Sequence, residues 1–348
     1  GATTEAGAFS RVRTMSPRRR VVAALIVLLA SASTGCGSDD DSSSTSTTTA
    51  PASSSSVDVT SSAGGDTTGD DPTDGDPVDT SSPPPEPLDD QTPPGSINGI
   101  TVQGDSLWIA SIGDDQLLQV DRATGAILAR HDTGGAGPDD VAVAPDGSIY
   151  STGYESGVLG RVVDGAYEEV VDVAPLINPI DVADDGTVWV ASMSDSGELF
   201  RIVPGSEPES VASGLVMVNG FEFDEETGTI LGPSDPMGSP AIVRIDPADG
   251  SVEKVVEGLP AVLASTWHPD GRFIALGNID GQVLAVDVEA GTFEVLVTVP
   301  DGAPFDNLAY ADDGTLYLSS FVAPTVTEVK PDGTARVITI GDAAKVGG

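Results

Sequence analysis

Five oxygen-bearing side chains recur at one place in a repeated pattern: Asn98, Asp139, Asn178, Asn219 and Asp306. Each stands two residues before the first aligned position of an apolar strand, and the remaining copy, the fifth in order, has Leu263 there. Two carboxylates and three amide oxygens form a hard-oxygen set that suits Ca²⁺ or a similar divalent cation. A cation held there would polarise a carbonyl, and Asp306 or Asp139 would act as base toward water. Asn and Asp also cap the backbone where a turn enters a strand, so the repeat could copy them for that reason alone. Oxygens that serve a cation converge on one point. Oxygens that cap turns bond to their own loops.

The elements that must position these residues are read from the repeats themselves. Six copies of strand, tight turn and strand begin at Ile100, Val141, Ile180, Phe221, Ser265 and Leu308, spaced 41, 39, 41, 44 and 43 residues apart. Each copy continues into two further strands, as in LLQVD and AILARHD after the first. Four short strands joined by Asp-Gly-type turns at this period make a propeller blade. One blade cannot cover both of its faces, so six pack around an axis. The reading is an all-β, six-bladed β-propeller of about 41 residues and four strands per blade over 96–341, with a tail at 342–348. The last blade supplies its own four strands, and nothing suggests a strand exchanged with the amino end.

Inner strands run along the channel of such a ring, so the five residues should meet at one mouth. The loops between second and third strands (111–115, 153–156, 193–197, 234–239, 278–281 and 321–325) open at the same end, with Asp235, Asn278 and Phe321 as mouth residues. His268, in the turn Trp267-His268-Pro269-Asp270-Gly271, belongs at the opposite end and is structural. His131 follows an outer strand and is expected to be exposed.

Composition narrows the partners. The chain of 348 residues carries a formal charge of −40, with 15 basic and 55 acidic residues. Five of the basic residues and one acid precede Cys36, leaving 10 against 54 after it, or −44. Such a chain repels nucleic acid and anionic lipid. The acidity suits cation binding or a salty medium, and equally a solvated surface on an extracytoplasmic protein. A single cysteine, Cys36, allows no internal disulfide. No nucleophile elbow, phosphate loop or Cys/His metal cluster is present in the sequence.

The amino end explains the cysteine. Arg18, Arg19 and Arg20 form a positive segment, Val21 to Ala30 an apolar run of ten residues, and small residues lead to Cys36. The run is too short to span a bilayer comfortably and has the flanks of a signal peptide. Ser33-Thr34-Gly35-Cys36 resembles a bacterial lipobox, with Ser33 where Leu is usual. Residues 1–35 read as an upstream extension and lipoprotein signal peptide. Residues 36–95 read as a lipid-anchored, disordered Ser/Thr/Asp/Pro tether that cannot bury apolar area. The expected location is outside the cell, on the bacterial cell membrane, through lipid on Cys36, and the expected state is a monomer.

Val218-Asn219-Gly220-Phe221, the Pro-Asp-Gly turns at 145–147 and 269–271, and Gly-Thr-Leu-Tyr at 314–317 carry a further resemblance. Over 96–341 the chain resembles the senescence-marker-protein/gluconolactonase (regucalcin-like) family. The resemblance implies a divalent cation at the channel mouth, held by Glu, Asn and Asp, and the opening of sugar lactones. Asn219 matches the family's Asn. No Glu stands at the six ring positions, and Leu263 falls where the family would place its catalytic Asp. Two functions follow: a metal-dependent lactonase or esterase, or a non-catalytic surface propeller that binds a glycan, peptide or protein.

Overall fold

The structure, a computed structural model, describes residues 85–277, 280–299 and 304–341. The lipobox cysteine Cys36 and mouth residue Asn278 lie outside these described residues. From Pro85 onward the chain forms one compact unit. It contains six four-stranded antiparallel sheets, each built from four consecutive strands. The all-β six-bladed propeller expected from the repeats is therefore the observed architecture. No helix among the described residues is long and apolar enough to cross a membrane.

The first strand of each blade is the inner one. These are Ile100–Gln103, Pro138–Val143, Ile177–Val182, Glu222–Asp224, Val262–Trp267 and Leu308–Tyr310. They touch one another in sequence, and the first strand of blade 6 touches that of blade 1, closing the ring. Blade 6 is made wholly from Leu308–Thr339, so closure needs no exchanged strand.

Alternating apolar residues make the strands two-faced, and the core lies between blades. Tyr150 and Leu159 of blade 2 pack on Ile177, Val188, Val190 and Phe200 of blade 3. Ile109 and Leu118 of blade 1 pack on Tyr317, Val326 and Ile338 of blade 6. Burying each such side chain contributes about 1.5–3 kcal/mol, so adjacent blades hold each other in place.

Residues 85–95 belong to this compact unit, so the folded part begins ahead of Ser96. Gln91 is buried, receives the Ile127 N–H at 2.9 Å and donates to the carbonyl of Ile127 at 2.9 Å. At the carboxyl end, the Gly341 N–H donates to the Gly125 carbonyl at 2.9 Å. Both ends of the described chain thus fasten to blade 1.

Candidate functional site

The ring positions coincide with a repeated irregularity of the inner strand. In blade 2 the pairing with the second strand slips between Pro138 and Val141, and in blade 5 between Val262 and Ala264. In blade 3 it slips opposite Val190 and Ser192. Blade 1 repeats the geometry: the Asn98 N–H donates to the Ala110 carbonyl at 2.9 Å, and Gly99 accepts the Ala110 N–H at 3.0 Å. Blade 6 does the same with Asp306, Asn307 and Ser319. Such a bulge sets two inner-strand residues against one partner and re-aims their side chains. The bulge turns Asn98, Asp139, Asn178 and Asp306 toward one end of the channel.

Neighbouring blades clamp these bulges. The Gly99 N–H donates to the Asp139 carbonyl at 2.7 Å. The Thr152 hydroxyl donates to the Asn178 carbonyl at 2.7 Å, and Ser319 does likewise to Asn98. A Cβ on Gly99 would fall 2.5 Å from Asp140 Cα. A Cβ on Gly220, which has a φ of +88°, would fall 2.9 Å from Ala264 Cα. Close approach of the next blade's backbone is therefore why Gly follows Asn98 and Asn219.

Four of the five ring residues form one cluster. Asn178 Nδ2 lies 2.7 Å from Asp139 Oδ2. The Asn98 amide donates to the Asp306 carboxyl. Burial raises Asp139 far above the usual carboxylate range, and the charges of Asp306 and Asp140 raise it further. Burial pushes Asp306 up to about 7, against the opposing bond from Asn98. No hydrogen bond among the described residues joins half-buried Asn219 to these four, and Leu263 is 6% exposed and packs as a core residue.

Among the described residues, no group of three or more His, Cys, Asp or Glu side chains stands ready to hold a metal. One feature of the cluster suits a cation. Asn98 is 2% exposed, and its Oδ1 is buried with no hydrogen-bond partner. An orphaned buried acceptor is costly, by about 1–3 kcal/mol, and a cation beside it would remove that cost. The two carboxyls that repel each other would be satisfied by the same ion. Asn98, Asp139 and Asp306 are therefore the residues that fit a divalent cation, with Asn178 able to join by turning its amide.

A second acidic tier lies one step deeper and was not singled out from the sequence. Asp140, Asp181, Glu222, Thr266 and Asn307 line a channel cavity of about 200 Å³. Asp140 Oδ1 accepts the Val141 N–H at 2.9 Å and Asn307 Nδ2 at 2.7 Å. Asp181 accepts the N–H of Val182 and of Phe223, each at 2.7 Å. The Phe223 bond crosses to the next blade, so Asp181 is a clamp between inner strands. Burial, only partly offset by such bonds, pushes Asp140 up to about 8 and Asp181 to about 6. Burial, and then the charge of Asp181, holds Glu222 well above its ordinary range. Asp181 and Glu222 share one column of the repeat alignment, and that is the signal that could have found them.

Other expected residues divide. Asp235 and Phe321 are the first residues after the second strands of blades 4 and 6, where the mouth loops begin. Asp235 turns its carboxylate to its own loop, accepting the Ser239 N–H at 2.9 Å. His268 sits in its turn, against Asp270 at 2.7 Å and edge-on to Tyr310. His131 requires a correction. It lies inside the outer strand Ile127–Asp132, half-buried, stacked on Trp108 at 5.5 Å. Trp108 offers that strand an apolar face, and the imidazole covers it.

Fold and site together define a class: a six-bladed propeller with a carboxylate–amide cluster at one end of its channel. The family description "Strictosidine synthase-like, N-terminal" matches residues 125–162, from the end of blade 1 into blade 2. No curated protein sequence matches the chain. Solved structures match widely, in 1243 chains, so the likeness speaks to architecture. A streptogramin B lyase structure aligns at 15% identity over 74% of this chain and 86% of its own, with a TM-score of 0.55. A gluconolactonase from Xanthomonas campestris aligns at 15% identity over 70% of this chain and 97% of its own, TM-score 0.56. The calcium-binding protein regucalcin from Agrobacterium tumefaciens aligns at 15% identity over 66% of this chain and 83% of its own, TM-score 0.53. The gluconolactonase and regucalcin propellers that the sequence resembles are thus among its relatives in fold.

Proposed function

We propose that this chain is a divalent-cation-dependent hydrolase of lactones or esters, held outside the bacterial cell membrane by lipid on Cys36. One observation carries the proposal. Two buried carboxyls, Asp139 and Asp306, share a cluster with the unpartnered Asn98 Oδ1, and the ring has no basic residue. A resident cation, Ca²⁺ in this proposal, would supply charge that polarises the substrate carbonyl. Asp306 or Asp139, as the carboxylate, would be the base that takes a proton from attacking water. The water oxygen bonds to the carbonyl carbon, the carbon–oxygen ester bond breaks, and the leaving alkoxide takes up the proton. The products are a carboxylic acid and an alcohol, on one molecule when the substrate is a lactone.

Calorimetry with Ca²⁺, Mn²⁺ and Zn²⁺ tests the site, expecting one cation per chain and none in an Asp139→Asn, Asp306→Asn double variant. A wild-type protein that binds none of the three ends the reading. A second reading, a non-catalytic surface propeller for a glycan, peptide or protein, is favoured by Leu263 in the ring and by the Asp181 clamp. Lactone turnover lost in Asp306→Ala would count against it.

A further inference from the structure

The loops above the ring carry a pattern that bears on substrate class, and the inference rests on the hydrolase reading above. The second strands of blades 1, 2, 3 and 6 end at Ser111, Gly153, Ser192 and Ser320. The residue that follows each is Ile112, Tyr154, Met193 and Phe321. These same four blades supply Asn98, Asp139, Asn178 and Asp306. Each of the four blades that supply the polar cluster therefore opens its mouth loop on one of these residues, which together form a collar.

One of the four touches the cluster, and two more neighbour the segments that lead to it. Met193 Sδ lies 3.8 Å from Asn178 Nδ2. Tyr154 is 5% exposed, and its backbone bridges the segments that lead to Asp139 and Asn178. Its N–H donates to the Gly137 carbonyl at 3.2 Å, and its carbonyl accepts the Leu176 N–H at 2.7 Å. Ile112 Cγ1 would be 3.8 Å from a Cβ on Gly137, two residues before Asp139. Phe321 is half-buried at the matching position of blade 6. The polar collar residue Asp235 belongs to blade 4, whose Asn219 stays out of the cluster, and its carboxylate is spent on Ser239.

A polyhydroxylated lactone needs a hydrogen-bond partner for each hydroxyl that the site desolvates. To the Asn and Asp groups of the cluster the collar adds one phenol, that of buried Tyr154. It offers no Lys or Arg, so no collar side chain pairs with the charge of an anionic sugar acid or phosphorylated ester. An alkyl or aryl substituent instead gains from contact with Ile112, Met193 and Phe321. The gain is about fourfold in affinity for each buried methylene.

We propose that Ile112, Tyr154, Met193 and Phe321 make the site selective for uncharged lactones or esters with an apolar substituent, in place of sugar lactones. The full chain with Ca²⁺ should hydrolyse γ-decalactone at least tenfold better, by kcat/KM, than γ-butyrolactone or D-glucono-1,5-lactone. A Met193→Ser, Phe321→Ser double variant should flatten the dependence on chain length by about tenfold, and Met193→Leu should retain it. Preference for the gluconolactone, or no dependence on chain length, would overturn the inference and leave the hydrolase standing. Absence of any turnover ends the hydrolase reading, and calorimetric binding of the same lactones then decides the collar. Tighter binding of γ-decalactone keeps the inference, and equal or weaker binding overturns it.

Discussion

Asp139 and Asp306 are buried in one cluster with no cationic side chain in the ring, and the Oδ1 of its member Asn98 has no partner. Replacing one carboxyl by its neutral isostere removes the repulsion and one ligand together. Asp306→Asn should therefore raise the melting temperature of the cation-free protein at pH 8 by a few degrees, since about 1 kcal/mol moves a domain of this size by roughly 2–4 °C. The same variant should lose the upward shift that millimolar Ca²⁺ gives the wild type. Thermal denaturation with EDTA and with Ca²⁺ measures both, and a Ca²⁺ shift that survives the substitution contradicts the assigned ligands. The ring was legible in the sequence because its residues share a column and differ from the apolar residues around them. Asp140 was not, because it follows Asp139 in a chain with 55 acids and reads as one more surface charge. Only the bulge reveals that adjacent residues both face inward.

At the scale of the strand, the bulge is the device that makes a site from a scaffold. It depends on close contact between blades, and Gly99 is where that contact is tightest. Gly99→Ala would place a methyl 2.5 Å from Asp140 Cα and 2.8 Å from the Asp139 carbonyl oxygen. Backbone cannot yield as a flexible side chain can, so overpacking there should cost roughly 1–3 kcal/mol. Urea denaturation should show a lower midpoint with an unchanged slope, and Gly104→Ala, with open space around its Cβ but a φ of +57°, separates crowding from backbone strain. A Gly99→Ala protein as stable as wild type would mean that the blades are not clamped at the bulge. Strand order and blade count were legible because each turn is marked by Asp-Gly or a similar pair. The inner strands of blades 4 and 6, only three residues each, were legible only through their alignment with longer copies. His131 was misplaced because nothing local to an outer strand announces that a Trp on the second strand will cover it.

The whole molecule stacks five carboxyls along one channel: Asp139, Asp140, Asp181, Glu222 and Asp306, all raised by burial. A raised folded-state pKa on an acid means that the native protein binds more protons than the unfolded chain. Stability contributed by these groups is then greatest near pH 4 and falls as pH rises toward the folded values of about 6 for Asp181, 7 for Asp306 and 8 for Asp140. Surface carboxyls work in the opposite direction. Asp146, Asp185 and Asp313 are held below the usual range, chiefly by hydrogen bonds from Ser148, Thr187 and Thr315. Their contribution is lost only as pH drops below about 4, so they do not oppose the decline between pH 5 and 8. The two histidines are too few to reverse it. In EDTA the melting temperature should therefore fall steadily from pH 5 to pH 8. Ca²⁺ should remove the part of the decline that belongs to Asp139 and Asp306, and leave the part that belongs to Asp181 and Glu222. Raising NaCl from 0.15 to 0.5 M should leave the slope in place, because screening acts on exposed charges and these are buried. A melting temperature that stays level or climbs through this window in EDTA would mean that the channel acids have cationic partners, and the case for a resident cation would go with them.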